Sequence, residues 1–410
     1  MSNPHLPPEI FDYIVDLLHD KPKTLGKCCL VSKSWVPRTR KHLFVNTKLL
    51  SVKDVQSWGK AFPNDWDSPA HHTRTLSVFW TQAIVEADAR AGGLIQTFPR
   101  VVRLRLTQPA SSKNLLAAPS SLEKISLAPF HKFSSTLKSL HVGFTPFPSP
   151  QIFDLVRSLP LLEDLALSGC DPLSCNNDSP HGPQTEVLSS SPVLNGSLDL
   201  DILGGIGNIT RRLLDLPNGL RFRKLVFQWH HMEDLRWITE LVARCSDTLE
   251  YIDVKCYPPC TFILVLRRNC NSPSCEGHSS VDLSNATKLR GVVFRPGSPT
   301  VAWIIMALQT ITPSHRDLQH ISIQVPYDFT FIDASADVLE IVGEAISRQW
   351  LDLDRLLVHL WESRSIRPKV IPVAKMWGGK LLDMRYCIEC LLPGVSKGGM
   401  VDLVGPIWSW

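Results

Sequence analysis

The segment Leu162-Glu163-Asp164-Leu165-Ala166-Leu167 carries the pattern that decides the fold. An apolar residue is followed by two of any kind, a second apolar, one of any kind, and a third apolar. The alternation at its end has the two-residue period of a strand with one buried face. The same pattern occurs upstream at Val101-x-x-Leu104-x-Leu106, Leu122-x-x-Ile125-x-Leu127 and Leu137-x-x-Leu140-x-Val142. Downstream it returns at Phe222–Phe227, Leu249–Val254, Leu289–Phe294, Leu318–Ile323 and Leu353–Val358, with weaker copies at Leu76–Val78 and Leu198–Leu200. Each copy predicts a strand.

Between the copies lie segments with helical spacing: Ala83–Phe98, Gln151–Leu159, Met232–Cys245, Val301–Ile311 and Ala336–Trp350. A helix–strand unit repeated along a chain predicts a mixed α/β solenoid, in which each unit leaves one face open until its neighbour stacks on it. The strand pattern resembles that of leucine-rich repeats. The Asn or Cys that such repeats carry after the last apolar position is mostly missing, with Cys170 and Cys256 coming nearest, so the resemblance is to divergent members. The resemblance implies a curved body over 49–380 and an irregular cap or tail over 381–410. Gly169–Ser197, rich in Ser, Pro, Asn and Gly, and Asn269–Ser280 read as surface loops. Asn64–His72 reads as a polar loop, Val45–Leu50 as a short strand and Asp54–Phe62 as a helix.

Residues 1–48 follow a different rule. In Leu6–Phe44, LPPEIFDYIVDLLHDKPKTLGKCCLVSKSWVPRTRKHLF, Pro7 and Pro8 stand where a helix begins. Ile10, Ile14, Leu17 and Leu18 recur at helical spacing, with Phe11 and Val15 widening the stripe. Pro22 breaks the helix. A second helix is expected with Thr24 as its cap and Leu25, Cys28, Leu30 and Val31 facing inward, and a third over Ser32–Phe44 with Pro37 in its first turn. Three short helices bury little apolar surface by themselves, so such a module calls for a partner. Leu6-Pro7-x-Glu9-Ile10, Ile14, Leu17, Leu25, Cys28 and Leu30-Val31-Ser32-Lys33-x-Trp35 together resemble an F-box. That resemblance implies docking on a Skp-type adaptor and, through it, a cullin. The expected adaptor contacts are Leu6, Pro7, Pro8, Ile10, Ile14, Leu17, Leu25, Cys28, Leu30, Val31 and Trp35. The chain is then expected to be the non-catalytic substrate receptor of a Skp–cullin–F-box ubiquitin ligase, in which the repeats hold a target protein. The alternatives are an interaction scaffold without ubiquitin transfer and, more distantly, a metal-binding protein.

Target recognition falls, on this reading, to the strand residues that alternate with the inward apolar ones: Arg103, Arg105, Lys124, His141, Asp164, Lys224, Tyr251, Asp253, Arg295, His320, Arg355 and His359. With the flanking Ser126, Ser139, Ala166, Val226, Val293 and Ser322, the set mixes charges and small groups.

Composition is ordinary for a globular protein. The 410 residues carry 43 Lys/Arg and 39 Asp/Glu. Eight of the bases and four of the acids lie in 1–48, so the remaining chain is neutral and argues against general nucleic-acid binding. No charged head precedes a long apolar core at the N-terminus, and apolar runs such as Val301–Leu308 fall far short of the roughly 20 residues that span a bilayer. An intracellular chain, cytoplasmic or nuclear, with its 11 Cys mostly reduced and no membrane partner, is expected. Cys256, Cys260, Cys270, Cys275 and His278 offer ligand chemistry for zinc, but their spacing matches no common zinc pattern, and no metal or cofactor is expected. Cys387-x-x-Cys390 lacks a βαβ setting. Gly204-Gly205-Ile206-Gly207 lacks the third glycine and the later acid of a dinucleotide loop and reads as a turn. His71-His72 and His230-His231 have no ligands nearby.

Overall fold

The computed structural model describes residues 7–64, 68–108, 126–144, 149–170, 192–203, 205–229, 234–256, 280–296, 301–326, 336–373 and 391–400. The chain divides into two compact units, Met1–Gly169 with His181–Val193, and Cys170–Pro180 with Leu194–Trp410.

The first unit begins with three helices. α1 (Pro8–Leu17) starts at the expected proline. α2 (Pro22–Val31) starts two residues before Thr24, with Lys21 in the capping position, because proline's preset φ suits a first helical turn. Thr24 is therefore inside the helix rather than its cap. The predicted third helix is split. Lys33–Trp35 forms a 3-10 turn whose preceding Ser32 Oγ accepts from the Ser34 amide, and α3 (Val36–Leu43) follows with Pro37 in its first turn. Leu25 is fully buried and Cys28 nearly so, but Leu30 and Val31 point to solvent, contrary to expectation.

Four parallel pairings build the sheet of this unit. β1 (Asn46–Leu49), β2 (Thr75–Phe79), β3 (Arg103–Thr107), β4 (Ser139–Phe144) and β5 (Asp164–Cys170) pair each with the next. The register aligns the second apolar positions, Leu76, Leu104, Leu140 and Leu165, and the third, Val78, Leu106, Val142 and Leu167. All eight are buried. Behind them pack α4 (Val52–Ala61), α5 (Gln82–Arg90), α6 (Ser149–Arg157) and short 3-10 helices. Ser51 caps α4 through the Asp54 amide. Trp80 and Phe130 meet edge-on at 4.7 Å. Phe44, at the end of α3, meets Trp58 edge-on at 5.5 Å, which ties the helical module to the sheet layer.

β3 pairs directly with β4. Leu127 is buried just before the 3-10 helix Ala128–Ser135, and Leu122, Lys124 and Ile125 lie outside the described residues. The segment read as a polar loop contains a 3-10 helix, Pro69–His72, with Ser68, Pro69 and Ala70 buried.

The second unit repeats the plan. β6 (Ser197–Leu203), β7 (Lys224–Trp229), β8 (Tyr251–Cys256), β9 (Gly291–Arg295), β10 (His320–Pro326) and β11 (Arg367–Val373) form consecutive parallel pairs. Leu198, Leu225, Ile252, Val292 and Ile321 share one buried row. α7 (Gly207–Leu214), α8 (Asp234–Cys245) and α9 (Ala302–Gln309) bury their apolar sides. The Asp234 carboxylate accepts from the Ile206 amide at 2.9 Å, where α7 begins. The glycine-rich segment before α7 is thus a turn into a helix. At Gly207 a Cβ would stand 2.6 Å from Trp237 Nε1, so the glycine is a packing residue.

At Leu353–Val358 the strand prediction is wrong. α10 (Ala336–Arg364) runs through it, with Trp350, Leu353, Leu357 and Leu360 buried at helical spacing. Apolar-x-x-apolar is common to both periods, and only the longer register separates them. The strand of this unit is β11, whose Pro368 and Pro372 suit a strand paired on one side only, with β10. After it, α11 (Pro393–Lys397) is held by the buried Asp354, which accepts from the Gly394 and Val395 amides at 2.8 Å each. The predicted loops and tail fall largely on residues outside those described, as do His230-His231 and Cys387-x-x-Cys390.

Candidate functional site: an apolar helical face and a strand face

α1 turns Phe11 and Val15 inward, where Phe11 meets Trp35 at 5.3 Å. The stripe of Ile10, Ile14 and Leu17, with Tyr13 beside it, is left in solvent. At the end of α2, Leu30 is 86% and Val31 69% exposed. Pro7 is exposed as well; Leu6 lies outside the described residues. Leu25 and Cys28 hold the module together from within and present no surface to a partner. Trp35 is half-buried.

An ionic clamp fixes α1 against α3. Asp16 accepts from Arg38 Nε at 2.7 Å and from Arg38 Nη2, and its Oδ1 lies 2.7 Å from His42 Nε2. The Arg38 guanidinium, then His42, hold the Asp16 carboxyl well below the usual carboxylate range, against the opposing effect of partial burial.

On the strand face of the first unit, the register places Thr75, Arg103, Ser139 and Asp164 in one row and Ser77, Arg105, His141 and Ala166 in the next. Arg103 and Arg105 are exposed. His141 is half-buried and lies 3.5 Å from Ser168 Oγ across Gly143. Burial, and then the nearby Arg105, push its pKa down.

On the strand face of the second unit, one row runs Ser197, Lys224, Tyr251, Gly291, His320 and the next Asp199, Val226, Asp253, Val293, Ser322. Tyr251 and His320 approach to 6.4 Å over Gly291, where a Cβ would stand 2.5 Å from the His320 ring. Arg295 clamps Asp253 with two hydrogen bonds of 2.8 and 2.6 Å. Burial, then Asp201 and Asp253, push the Asp199 carboxyl up, while Lys224 and Lys255 oppose the shift.

Nine of the twelve residues expected to read a target are therefore strand-face residues of one unit or the other. Arg355 and His359 are not: both are exposed on α10, where Arg355 pairs with Asp352 at 3.1 Å. Lys124 falls outside the described residues. The two strand faces also carry Ser77, Asp199 and Asp201, which the weaker copies at Leu76 and Leu198 could have supplied, and Lys255, one residue past the copy at Leu249–Val254. Cys256 is buried on β8, and Cys260, Cys270, Cys275 and His278 lie outside the described residues. Among the described residues no group of three or more His, Cys, Asp or Glu is placed to hold a metal, and no helix is long and apolar enough to cross a membrane.

These features define a mixed α/β protein of parallel strands with a helical module at the start of its first unit. No family model matches the chain, and no curated protein matches it. Solved structures are similar at low identity, two of them as follows. The leucine-rich repeat-containing protein LegL7 from Legionella pneumophila is 12% identical, with a TM-score of 0.38, over 86% of this chain and 94% of that one. A chain from the complex of Rad7 and Elc1 in yeast is 12% identical, with a TM-score of 0.34, over 92% of this chain and 90% of that one.

Proposed function

We propose that the chain is a substrate receptor of a Skp–cullin–F-box type ubiquitin ligase. The F-box-like module, 1–48, docks on a Skp-type adaptor, and the leucine-rich-repeat-like body holds a target protein. The observation that carries this reading is the apolar surface of α1 and α2. Ile10, Tyr13, Ile14, Leu17, Leu30 and Val31 are all exposed, while the residues beneath them are packed. Large apolar side chains exposed on two short helices are stable in water only at a cost, and such surfaces mark contact sites. The F-box resemblance of the same segment names the partner.

The mechanism is geometric. Holding a target beside a ubiquitin-carrying enzyme raises the effective concentration of its lysines, and no side chain here need perform chemistry. The test is co-purification with a Skp-type adaptor, comparing wild type with Leu30→Glu/Val31→Glu. Retention by wild type and loss in the variant, with unchanged melting, is expected. Equal retention of both sinks the docking site. Retention without turnover of any bound target favours a scaffold that does not transfer ubiquitin.

A further inference from the structure

We infer that the strand face of the first unit binds an acid-rich peptide segment of its partner, with Arg103 and Arg105 as the anchoring cations. This deepens the reading of the body as a target-holding surface and rests on it.

Arg103 and Arg105 stand two residues apart on β3, so both project from the face opposite the buried Leu104 and Leu106. Both are exposed, and neither side chain has a hydrogen-bond or ion-pair partner among the described residues. Lys48, exposed on β1 and in register with Ser77, adds a third cation to the same face. Ser77 and Ser139, beside the two arginines on the neighbouring strands, supply neutral hydroxyl donors rather than balancing charge. Among the described strand-face residues of β1 to β5 the single acid is Asp164. It shares a row with Arg103 but lies two strands away, about 9.6 Å at ordinary strand spacing.

The charge on this face is thus a net excess of guanidinium and ammonium groups, held on rigid parallel strands. The strand face of the second unit differs: Asp199, Asp201 and Asp253 accompany Lys224, Lys255 and Arg295, and Arg295 is already committed to Asp253. Guanidinium forks pair with carboxylates in a planar, two-bonded geometry, and unpaired arginines on a fixed surface select for that chemistry. The near-neutral charge of the whole chain favours a protein segment over a nucleic acid as the source of the anions.

The test uses the full chain and fluorescence anisotropy with a labelled peptide of about ten residues, alternating Glu and Ser. At about 3.3 Å per residue it reaches across the five strands. Binding is expected for this peptide and not for one alternating Lys and Ser. It should weaken about tenfold in Arg103→Gln/Arg105→Gln and further in Arg103→Glu/Arg105→Glu. It should also fall as salt is raised, since these charges are open to screening. Equal affinity in wild type and the glutamine pair overturns the inference, as does absence of binding. Displacement of the peptide by a smaller amount of single-stranded DNA also overturns it, because the face then recognises phosphate backbones. Thermal melting of each variant shows that its fold is kept, and the salt dependence of the wild type stands independently of the variants. Adaptor retention should be indifferent to Arg103→Gln/Arg105→Gln, and peptide binding to Leu30→Glu/Val31→Glu. Failure of one reading therefore leaves the other measurable.

Discussion

Asp16 on α1 and Arg38 on α3 are joined by two hydrogen bonds, one of them 2.7 Å from Arg38 Nε, and this pair orients the exposed apolar stripe of α1. Both side chains are about one-third open to water, at 37% and 33%, so solvent screening limits their worth. Asp16→Asn should make local opening of α1 easier by about 0.5–1 kcal/mol at neutral pH. Hydrogen exchange of the α1 amides reads this. The sign of the pH dependence follows from the depressed carboxyl. Its contribution is complete above the ordinary aspartate value of 3.8 and is lost as pH falls below that toward the depressed folded-state value. The difference between wild type and variant should hold from pH 7 to pH 5 and shrink below about pH 4.

Leu25 and Leu30 lie five residues apart on α2, yet one is fully buried and the other 86% exposed. Leu25→Ala should cost about 2–5 kcal/mol, while Leu30→Ala should stay within about 0.5 kcal/mol. Chemical denaturation of the first unit separates them. If both are costly, the surface assigned to an adaptor is part of the core.

Asp354 supplies the acceptors for two backbone amides at the start of α11 and is itself buried. Asp354→Ala leaves both donors without an acceptor in a place closed to water, at about 1–3 kcal/mol each if neither finds water. The segment around Pro393–Lys397 should then be cut by protease well before the rest of the second unit.

The choice of helix over strand at Leu353–Val358 is open to a scan. A helix buries Leu353 and Leu357 and leaves Leu356 half-exposed. Leu353→Ala and Leu357→Ala should each cost about 2–5 kcal/mol and Leu356→Ala clearly less, whereas a strand would make Leu353, Leu356 and Val358 the sensitive set. Thermal melting decides.

The strand misreading at Leu353-x-x-Leu356-x-Val358 has a local cause: it satisfies the same short template as the true strands, and three apolar positions cannot tell a two-residue period from a helical one. β11 was missed for the complementary reason: Pro368 and Pro372 look like strand breakers until the strand is known to pair only with β10. Leu30 and Val31 were expected to face inward because hydrophobicity records a preference for burial and is silent on which protein provides it. Pro8 marked the start of the first helix, whereas Pro22, read as a breaker, opens the second, because the same preset φ that ends one helix suits the first turn of the next.

By itself the sequence determined the strands at Leu76, Leu104, Leu140, Leu165, Leu198, Leu225, Ile252, Val292 and Ile321, because alternation is a local property that each strand satisfies alone. It likewise determined which strand residues would alternate with the buried ones. Only the tertiary structure decided that Asp16 meets Arg38 and His42, that Arg295 is committed to Asp253 while Arg103 and Arg105 are not, and that Ile10, Ile14 and Leu17 remain uncovered. These are relations between residues brought together from separate elements, and pairwise distance and solvent access exist only once the chain has packed.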